Sequence, residues 1–275
     1  MTIEGALHSV RLTFEVVLEM EAKMKVEMKA ETGRLDLLQI TLVVEDLVET
    51  EEAFVKALGL EVAFRDPSVD LWGLENIVLP MGTTFIEILS PKRADTPGGR
   101  HLARLGGDGG YMVILQTRDL APWRERIGAL DLRIAFEANT RDEEHGQHWA
   151  GIHLHPRDTG GMMISLDCPD PPDSWAGAGP KWRDHIRQDV VKGLLGIELR
   201  SPDPERLAAR WAEVLKRSVD REGEKLRVAL DQGVVEFVSC GGDEIEGLSA
   251  ITLEASDRGR VGEKIKLGGV EFQLA

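Results

Sequence analysis

The sequence repeats one pattern, and this repetition is the feature that most limits what the chain can fold into. Each copy has an alternating apolar strand, an aspartate at a helix start, an amphipathic helix, and short strands separated by turns. In the clearest copy Asp46 caps a helix that ends at Gly59, and strands are predicted at 37–44, 60–65, 71–79 and 83–90. This copy therefore predicts a βαβββ unit.

Alternation along the first strand of this copy predicts two different faces, because successive side chains of a strand point to opposite sides. The apolar face is predicted to carry Leu38, Ile40, Leu42 and Val44. The other face is predicted to carry Gln39, Thr41, Val43 and Glu45. The alternation therefore predicts a strand with one apolar face and one mixed face.

Three further copies follow. The second begins at residue 109, with Asp119 as the cap and strands predicted at 132–137, 148–155 and 162–167. The third begins at residue 193, with Asp203 as the cap. The fourth begins at residue 248 and keeps a first strand, Asp257 and a last strand, without room for the middle two. The chain is thus predicted to be α+β, with four modules of which the last is truncated.

The repeats also predict domain boundaries. Residues 170–189 are rich in Pro, Gly and Trp and are typical of an inter-domain connection. We therefore predict a first domain of two modules over 34–169, a degenerate second domain over 190–275, and an N-terminal extension over 1–33. Within the extension, residues 10–30 fit a strand by their alternation but favour a helix from about residue 15 by their composition.

Charge and cysteine content limit the partners. Against 33 Lys and Arg stand 48 Asp and Glu, a net charge of −15, which repels nucleic-acid phosphates and anionic membranes. Cys168 and Cys240 form no disulfide framework, which indicates a cytoplasmic protein. A small-molecule ligand is therefore the expected partner, and a homodimer is left open.

Two phrases of the sequence carry a family resemblance. QITLVVEDL, residues 39–47, resembles the first strand of the vicinal oxygen chelate superfamily, which includes glyoxalase I, methylmalonyl-CoA epimerase, extradiol dioxygenases and bleomycin-resistance proteins. HPRDTGGMMISL, residues 155–166, resembles the epimerase-like phrase ahead of the last strand. The resemblance covers residues 36–169 well and 193–275 loosely. It implies tandem paired modules that form cup-shaped mixed sheets around a ligand cavity.

The resemblance also implies a metal position. In this superfamily the first and last strands of two paired modules hold a divalent metal, typically through His or Gln, Glu, His and Glu. Gln39, seven residues before Asp46, and Glu87 stand at two of these positions, which implies a half-site for Zn, Fe, Mn, Ni or Co. Met112 and Ser165 stand at the other two. Because a thioether and a hydroxyl do not replace imidazole and carboxylate ligands, the usual metal-dependent mechanism is not expected.

Histidines of the second module supply further candidates. His153 and His155 share a face of the strand predicted beside the one that carries Ser165. These histidines allow either a rearranged metal site or a histidine general base. We predict His153 and Glu87 as catalytic residues and a substrate pocket lined by Met112, Ser165, His155 and Trp149. The alternative is that these are surface and turn histidines, with His155 holding the turn that follows it.

The tryptophans leave two interpretations open. Trp175 and Trp182, together with Trp149, either form a lid over an apolar ligand or seal a domain interface. In the second half, Glu236 and Glu271 stand at last-strand positions without nitrogen ligands nearby, and we interpret them as ordinary strand residues.

Three functions follow from these predictions. The leading one is a glyoxalase-like protein that binds a small organic molecule in the cup of the first domain, with lyase or isomerase chemistry if it is an enzyme and with an incomplete or lost metal site. The alternative is a metal-free binding or sequestering protein of the bleomycin-resistance type. The third is a structural dimer-former with a vestigial cavity.

Overall fold

The computed structural model describes residues 33–242 and 244–275. The predicted extension, with the two alternatives for residues 10–30, lies outside the described residues except for Gly33. The first half contains β1 (Asp36–Val43), α1 (Leu47–Leu58), β2 (Leu74–Met81), β3 (Thr84–Pro91), α2 (Pro97–Leu105), β4 (Gly109–Gln116), α3 (Ala121–Ala129), β5 (Ile134–Asp142), β6 (Gln147–Leu154), α4 (Pro156–Thr159) and β7 (Met163–Asp170).

The second half contains β8 (Val191–Ser201), α5 (Pro204–Leu215), β9 (Asp220–Glu222), β10 (Lys225–Ala229), β11 (Val234–Ser239), β12 (Gly247–Ala255), β13 (Lys264–Leu267) and β14 (Val270–Leu274). The described residues also contain four short 3-10 helices: Pro67–Trp72, Ala176–Ala178, Trp182–His185 and Arg258–Arg260. Among the helices in these ranges, none is long and apolar enough to cross a bilayer.

The strands form two mixed sheets of seven strands each, in the orders β2-β3-β1-β4-β7-β6-β5 and β13-β14-β12-β8-β11-β10-β9. At the centre of each sheet the first strands of two modules pair antiparallel, β1 with β4 and β8 with β12. Each first strand also pairs in parallel with the last strand of its own module. This arrangement confirms the predicted α+β fold of paired modules.

The aspartates at the helix starts act largely as predicted. Asp46 and Asp203 are the N-caps of α1 and α5, and each accepts a backbone N–H of the first turn. Asp257 caps the 3-10 helix Arg258–Arg260 in the same way. In the second module Asp119 lies one residue earlier, because Leu120 is the N-cap of α3, but its carboxylate still accepts the N–H of Ala121 at 2.9 Å.

Two strand predictions need correction. Residues 60–65 are not a strand, since only Phe64 makes an isolated bridge, to Val78. The 3-10 helix Pro67–Trp72 takes the start of the next predicted strand, which begins at Leu74 instead. The last module is shortened as predicted, yet it keeps β13 as one middle strand because its helix is only three residues long.

Bulges interrupt the central strand pairing of both sheets. Opposite β4, Leu38 is the extra residue of β1, and opposite β1, Tyr111 is the extra residue of β4. Leu38 precedes Gln39 as Tyr111 precedes Met112, and Gln39 and Met112 are equivalent positions of the two modules. The bulge is therefore repeated in both modules. The predicted alternation is therefore wrong at Leu38, which packs with Phe85 on the polar face, while Leu37 takes its place in the core.

One hydrophobic core joins the two sheets. A single cluster of buried residues includes Ile40 of β1, Ile197 of β8 and Trp211 of α5. Helix α1 lies against β13, and its Phe54 packs edge-on against Phe272 with ring centroids 5.2 Å apart. The predicted division into two domains stays a prediction. Each half of the chain forms its own sheet, but one hydrophobic core contains residues of both halves.

We expect Phe54→Ala to destabilise both halves together, by about 3–5 kcal/mol, because it leaves a cavity where α1 meets the second sheet. The control is Val55→Ala on the same helix, where the side chain is 42% exposed and the loss should stay within about 0.5 kcal/mol. Hydrogen exchange of backbone amides in both sheets, recorded at increasing urea concentrations, measures the loss of unfolding free energy in each half. Destabilisation confined to the first sheet would show that the halves fold independently.

Candidate functional site

The face of the first sheet turned away from the core is the inner face of a curled sheet, here called the cup. The curl brings the two edges of the sheet close together, because Trp72, beside edge strand β2, contacts Phe136 of edge strand β5 with ring centroids 5.0 Å apart. Strand register and shared contacts place these polar residues in the cup: Gln39, Thr41, Asn76, Glu87, His153, Ser165 and Asp167.

Glu87 lies at the centre of a buried hydrogen-bond network in the first module. Its Oε2 accepts Gln39 Nε2 and Thr41 Oγ1, each at 2.9 Å, and its Oε1 accepts Asn76 Nδ2 at 2.7 Å. Burial raises the pKa of Glu87, and the three hydrogen bonds only partly oppose it. Glu87 is thus a buried carboxyl that is stabilised by neutral donors.

The predicted connection enters the cup and covers this network. Trp175 donates its Nε1 hydrogen to Gln39 Oε1 at 2.8 Å and is 4% exposed. Trp182 packs edge-on against Phe85, with ring centroids 5.0 Å apart. The two tryptophans therefore pack over the first module's half of the cup, and their apolar neighbours belong to the first half of the chain.

The donor set at Gln39 and Glu87 does not fit a divalent metal. The amide oxygen of Gln39 accepts a hydrogen bond from Trp175 Nε1. Glu87 uses three of its roughly four acceptor sites for hydrogen bonds. Met112 and Ser165, at the other two positions, supply no hard ligand. In the described ranges no group of three or more His, Cys, Asp or Glu residues is arranged to hold a metal.

Asp167 is a second buried carboxyl, in the second module, and sequence reasoning missed it. It is fully buried and accepts hydrogen bonds from Ser165 Oγ and Trp149 Nε1. Burial raises the pKa of Asp167 to about 7, against the opposing effect of those two hydrogen bonds. The available signal was its position two residues after Ser165, which places both side chains on one face of β7.

His153 also faces the cup, since it lies opposite Ser165 in the β6–β7 pair. Its half-buried ring packs against Phe136 with centroids 5.1 Å apart. Burial lowers the pKa of His153 to about 4, so the imidazole is neutral at pH 7. Within the described residues no hydrogen bond joins His153 to Glu87, and β6 and β3 are separated along the sheet by β7, β4 and β1.

The remaining predicted pocket residues divide into two groups. Met112 is buried and packs with Phe85 and Trp175, and Trp149 covers Asp167 from above Gly151, where a Cβ would come within 2.7 Å of the indole. His155 lies beyond the strand and accepts the Arg157 N–H at 3.2 Å as the cap of α4. His155 thus holds a turn, as the alternative interpretation stated.

Comparison of the sequence with known protein families gives one match. The sequence profile described as "Glyoxalase-like domain" matches residues 40–215. The chain belongs to this glyoxalase-like family. It is thereby a member of the vicinal oxygen chelate superfamily, as the resemblance implied.

Two curated relatives of this glyoxalase-like protein are mitochondrial methylmalonyl-CoA epimerases. The one from Bos taurus is 25% identical over 137 residues, which cover 49% of this chain and 74% of that protein. The one from Mus musculus is 26% identical over 137 residues, 49% of this chain and 72% of that protein. A hypothetical protein from Staphylococcus aureus shares the fold with a TM-score of 0.66 and 10% identity, and the match covers 88% of this chain and 98% of that one.

We expect Asp167→Asn to be more stable than the wild type at pH 8 and about equal at pH 4. The pKa of Asp167 is raised in the folded state, so its contribution is favourable at low pH and is lost as pH rises from its unfolded value of 3.8 through about 7. The gain at pH 8 is at most about 4 kcal/mol. Urea unfolding at several pH values measures it.

The side-chain chemistry permits this substitution. Ser165 is able to accept a hydrogen bond from an amide N–H, while Trp149 still donates to the amide oxygen. Ser165→Ala is the matched control, because it removes a hydrogen bond and keeps the carboxyl. A wild type and an Asp167→Asn variant with parallel pH profiles would contradict the raised pKa.

Proposed function

We propose that the cup binds a small organic molecule and that Asp167 exchanges a proton with it, without a metal ion, in isomerase-type chemistry. The observation that carries the proposal is a fully buried carboxyl whose pKa is raised to about 7. A general base works best when its pKa lies near the operating pH, and buried carboxyls with such values cluster at functional sites.

The proton transfer uses a substrate C–H that lies next to a carbonyl group. The Asp167 carboxylate takes that proton, which leaves an enolate on the substrate and a neutral carboxylic acid on the protein. Return of the proton to the other face of the enolate gives the epimer. Ser165 serves both states, because its hydroxyl donates to the carboxylate and accepts from the acid.

His153 is the second group placed to handle a proton. Its imidazole is neutral at pH 7, and no residue of the described ranges hydrogen bonds to it. A neutral imidazole is able to donate a hydrogen bond to a carbonyl oxygen on which charge develops. We assign His153 to this role, in place of the predicted role of general base.

Access to Asp167 depends on Trp149. The indole N–H of Trp149 donates to Asp167, which has no exposed surface. Trp149 itself is half-buried, so part of its ring is accessible to solvent. In the proposed reaction this indole rotates away when the substrate binds and frees one oxygen of the carboxyl.

The substrate class is proposed from the relatives. Those from Bos taurus and Mus musculus are named as methylmalonyl-CoA epimerases. Methylmalonyl-CoA carries an acidic C–H between two carbonyl groups, which suits the chemistry of Asp167. We propose an acyl compound of this kind as the substrate, and methylmalonyl-CoA as the first probe. Because Cys168 and Cys240 are both unpaired, we keep the cytoplasm as the proposed location.

A metal-free binding or sequestering protein is the second candidate. The observation that favours it is the occupation of half the cup by Trp175 and Trp182, which form a rigid apolar wall over Glu87. Such a wall suits tight binding as well as catalysis. Only turnover separates the two functions.

We expect the wild type to exchange the methylmalonyl-CoA C–H for deuterium in D2O, and Asp167→Asn to reduce the rate by about 100-fold or more. Nuclear magnetic resonance follows the exchange. The control is Asp189→Asn, an exposed aspartate at the end of the connection, which should leave the rate unchanged. Saturable binding without exchange would favour the binding protein, and exchange that survives in Asp167→Asn would sink the role of Asp167.

We expect this exchange to be insensitive to chelators, because the proposed proton transfer involves only Asp167 and His153. Metal analysis should find no stoichiometric Zn, Mn, Fe, Ni or Co after growth with these metals. Stoichiometric metal that is lost in Gln39→Ala or Glu87→Ala would overturn the metal-free proposal and restore the predicted half-site.

A further inference from the structure

A cavity lies at the beginning of β1. It has a volume of about 200 Å³ and is lined by residues that include Asp36, Phe85, Arg118, Trp175 and Trp182. The ring of Trp175 lines this cavity while its N–H donates to Gln39, so Trp175 separates the cavity from the network around Glu87. The cavity lies at one end of the cup, and its wall residue Gln116 pairs in the sheet with Asp167.

Two buried polar atoms of the cavity wall have no hydrogen-bond partner in the described part of the chain. They are Asp36 Oδ1, an acceptor, and Trp182 Nε1, a donor, on residues that are 7% and 3% exposed. The other oxygen of Asp36 accepts Arg34 Nε at 2.7 Å. An unmade buried hydrogen bond is costly, and in a native structure it calls for a partner such as a ligand or an ordered water.

The size of the cavity favours a ligand larger than a single water molecule. A water occupies about 30 Å³ in the liquid, whereas pockets for drug-sized ligands measure about 300–1,000 Å³. At about 200 Å³ the cavity suits a molecule with one ring. Three aromatic side chains in its wall, Phe85, Trp175 and Trp182, favour a flat molecule.

The polar groups define the chemistry of the ligand. Arg118 lines the cavity from an exposed position, and no ion pair or hydrogen bond of its side chain is found within residues 33–242 and 244–275. We propose that this cavity binds a small, flat organic acid that carries a hydroxyl or N–H group. The ligand carboxylate accepts from Arg118 and Trp182, and the hydroxyl or N–H donates to Asp36.

Binding of 4-hydroxybenzoate tests this proposal, with benzoate and methyl 4-hydroxybenzoate as the probes that lack one group each. Titration calorimetry should show saturable binding of 4-hydroxybenzoate and a loss of about tenfold or more for either analogue. The same loss is expected in Asp36→Asn, Trp182→Phe and Arg118→Gln. Arg118 is exposed, so its variant remains informative if a buried variant fails to fold.

Asp220→Asn, an exposed aspartate of the second half, is the control and should bind as the wild type does. The cavity and the proton-transfer site are distinguished by crossed variants: Asp167→Asn should keep 4-hydroxybenzoate binding, and Arg118→Gln should keep deuterium exchange. Absence of binding by the wild type at 10 mM of the probe, or a crystal soaked with it that shows only ordered waters in the cavity, would overturn the proposal.

Discussion

The antiparallel pairing of β1 with β4 is the contact on which the rest of the first sheet depends. It joins two modules at their first strands, so that Thr41 lies beside Met112 and Gln39 beside Ile114. The last strand of each module then pairs outside its first strand, which places Glu87 on one side of the centre and Asp167 on the other. Because the opposite face is buried against the second half, polar chemistry is confined to the cup.

Two buried carboxyls lie in the cup, and neither is paired with a cationic side chain of residues 33–242 or 244–275. Glu87 is surrounded by neutral amide and hydroxyl donors, and Asp167 by an indole and a hydroxyl. A buried charge without an opposite charge is costly, so both groups favour the protonated form more than an exposed carboxyl does. In a superfamily that typically uses such positions for a metal, this chain places its titratable group two residues away from the expected one.

Much of the fold was predictable from sequence because the repeat determines it. Asp46 and Asp203 mark the helix starts, and alternation marks the strands that pair at the sheet centres. The bulge at Leu38 was not predictable, since nothing in the local alternation signals an extra residue and only comparison with Tyr111 shows that it repeats. The strand predicted at 60–65 failed because a 3-10 helix leaves it no partner beyond Phe64.

The candidate site was predicted only in part, because spacing locates backbone positions and not contacts. Counting back from the helix caps found Gln39 and Met112, and counting back from the prolines after the last strands found Glu87 and Ser165. All four lie in or beside the cup. The contact of Trp175 with Gln39 joins residues far apart in the chain, which no local pattern reveals. The raised pKa of Asp167 comes from its burial, a tertiary property that sequence spacing does not report.

Asp167 is expected to titrate near neutral pH in the folded protein. A carbon-13 titration of the aspartate side-chain carboxyls, with Asp167→Asn to assign the resonance, measures this directly. We expect the titration curve of the Asp167 carboxyl to have its midpoint near pH 7. A midpoint below pH 5, as in an exposed aspartate, would contradict it.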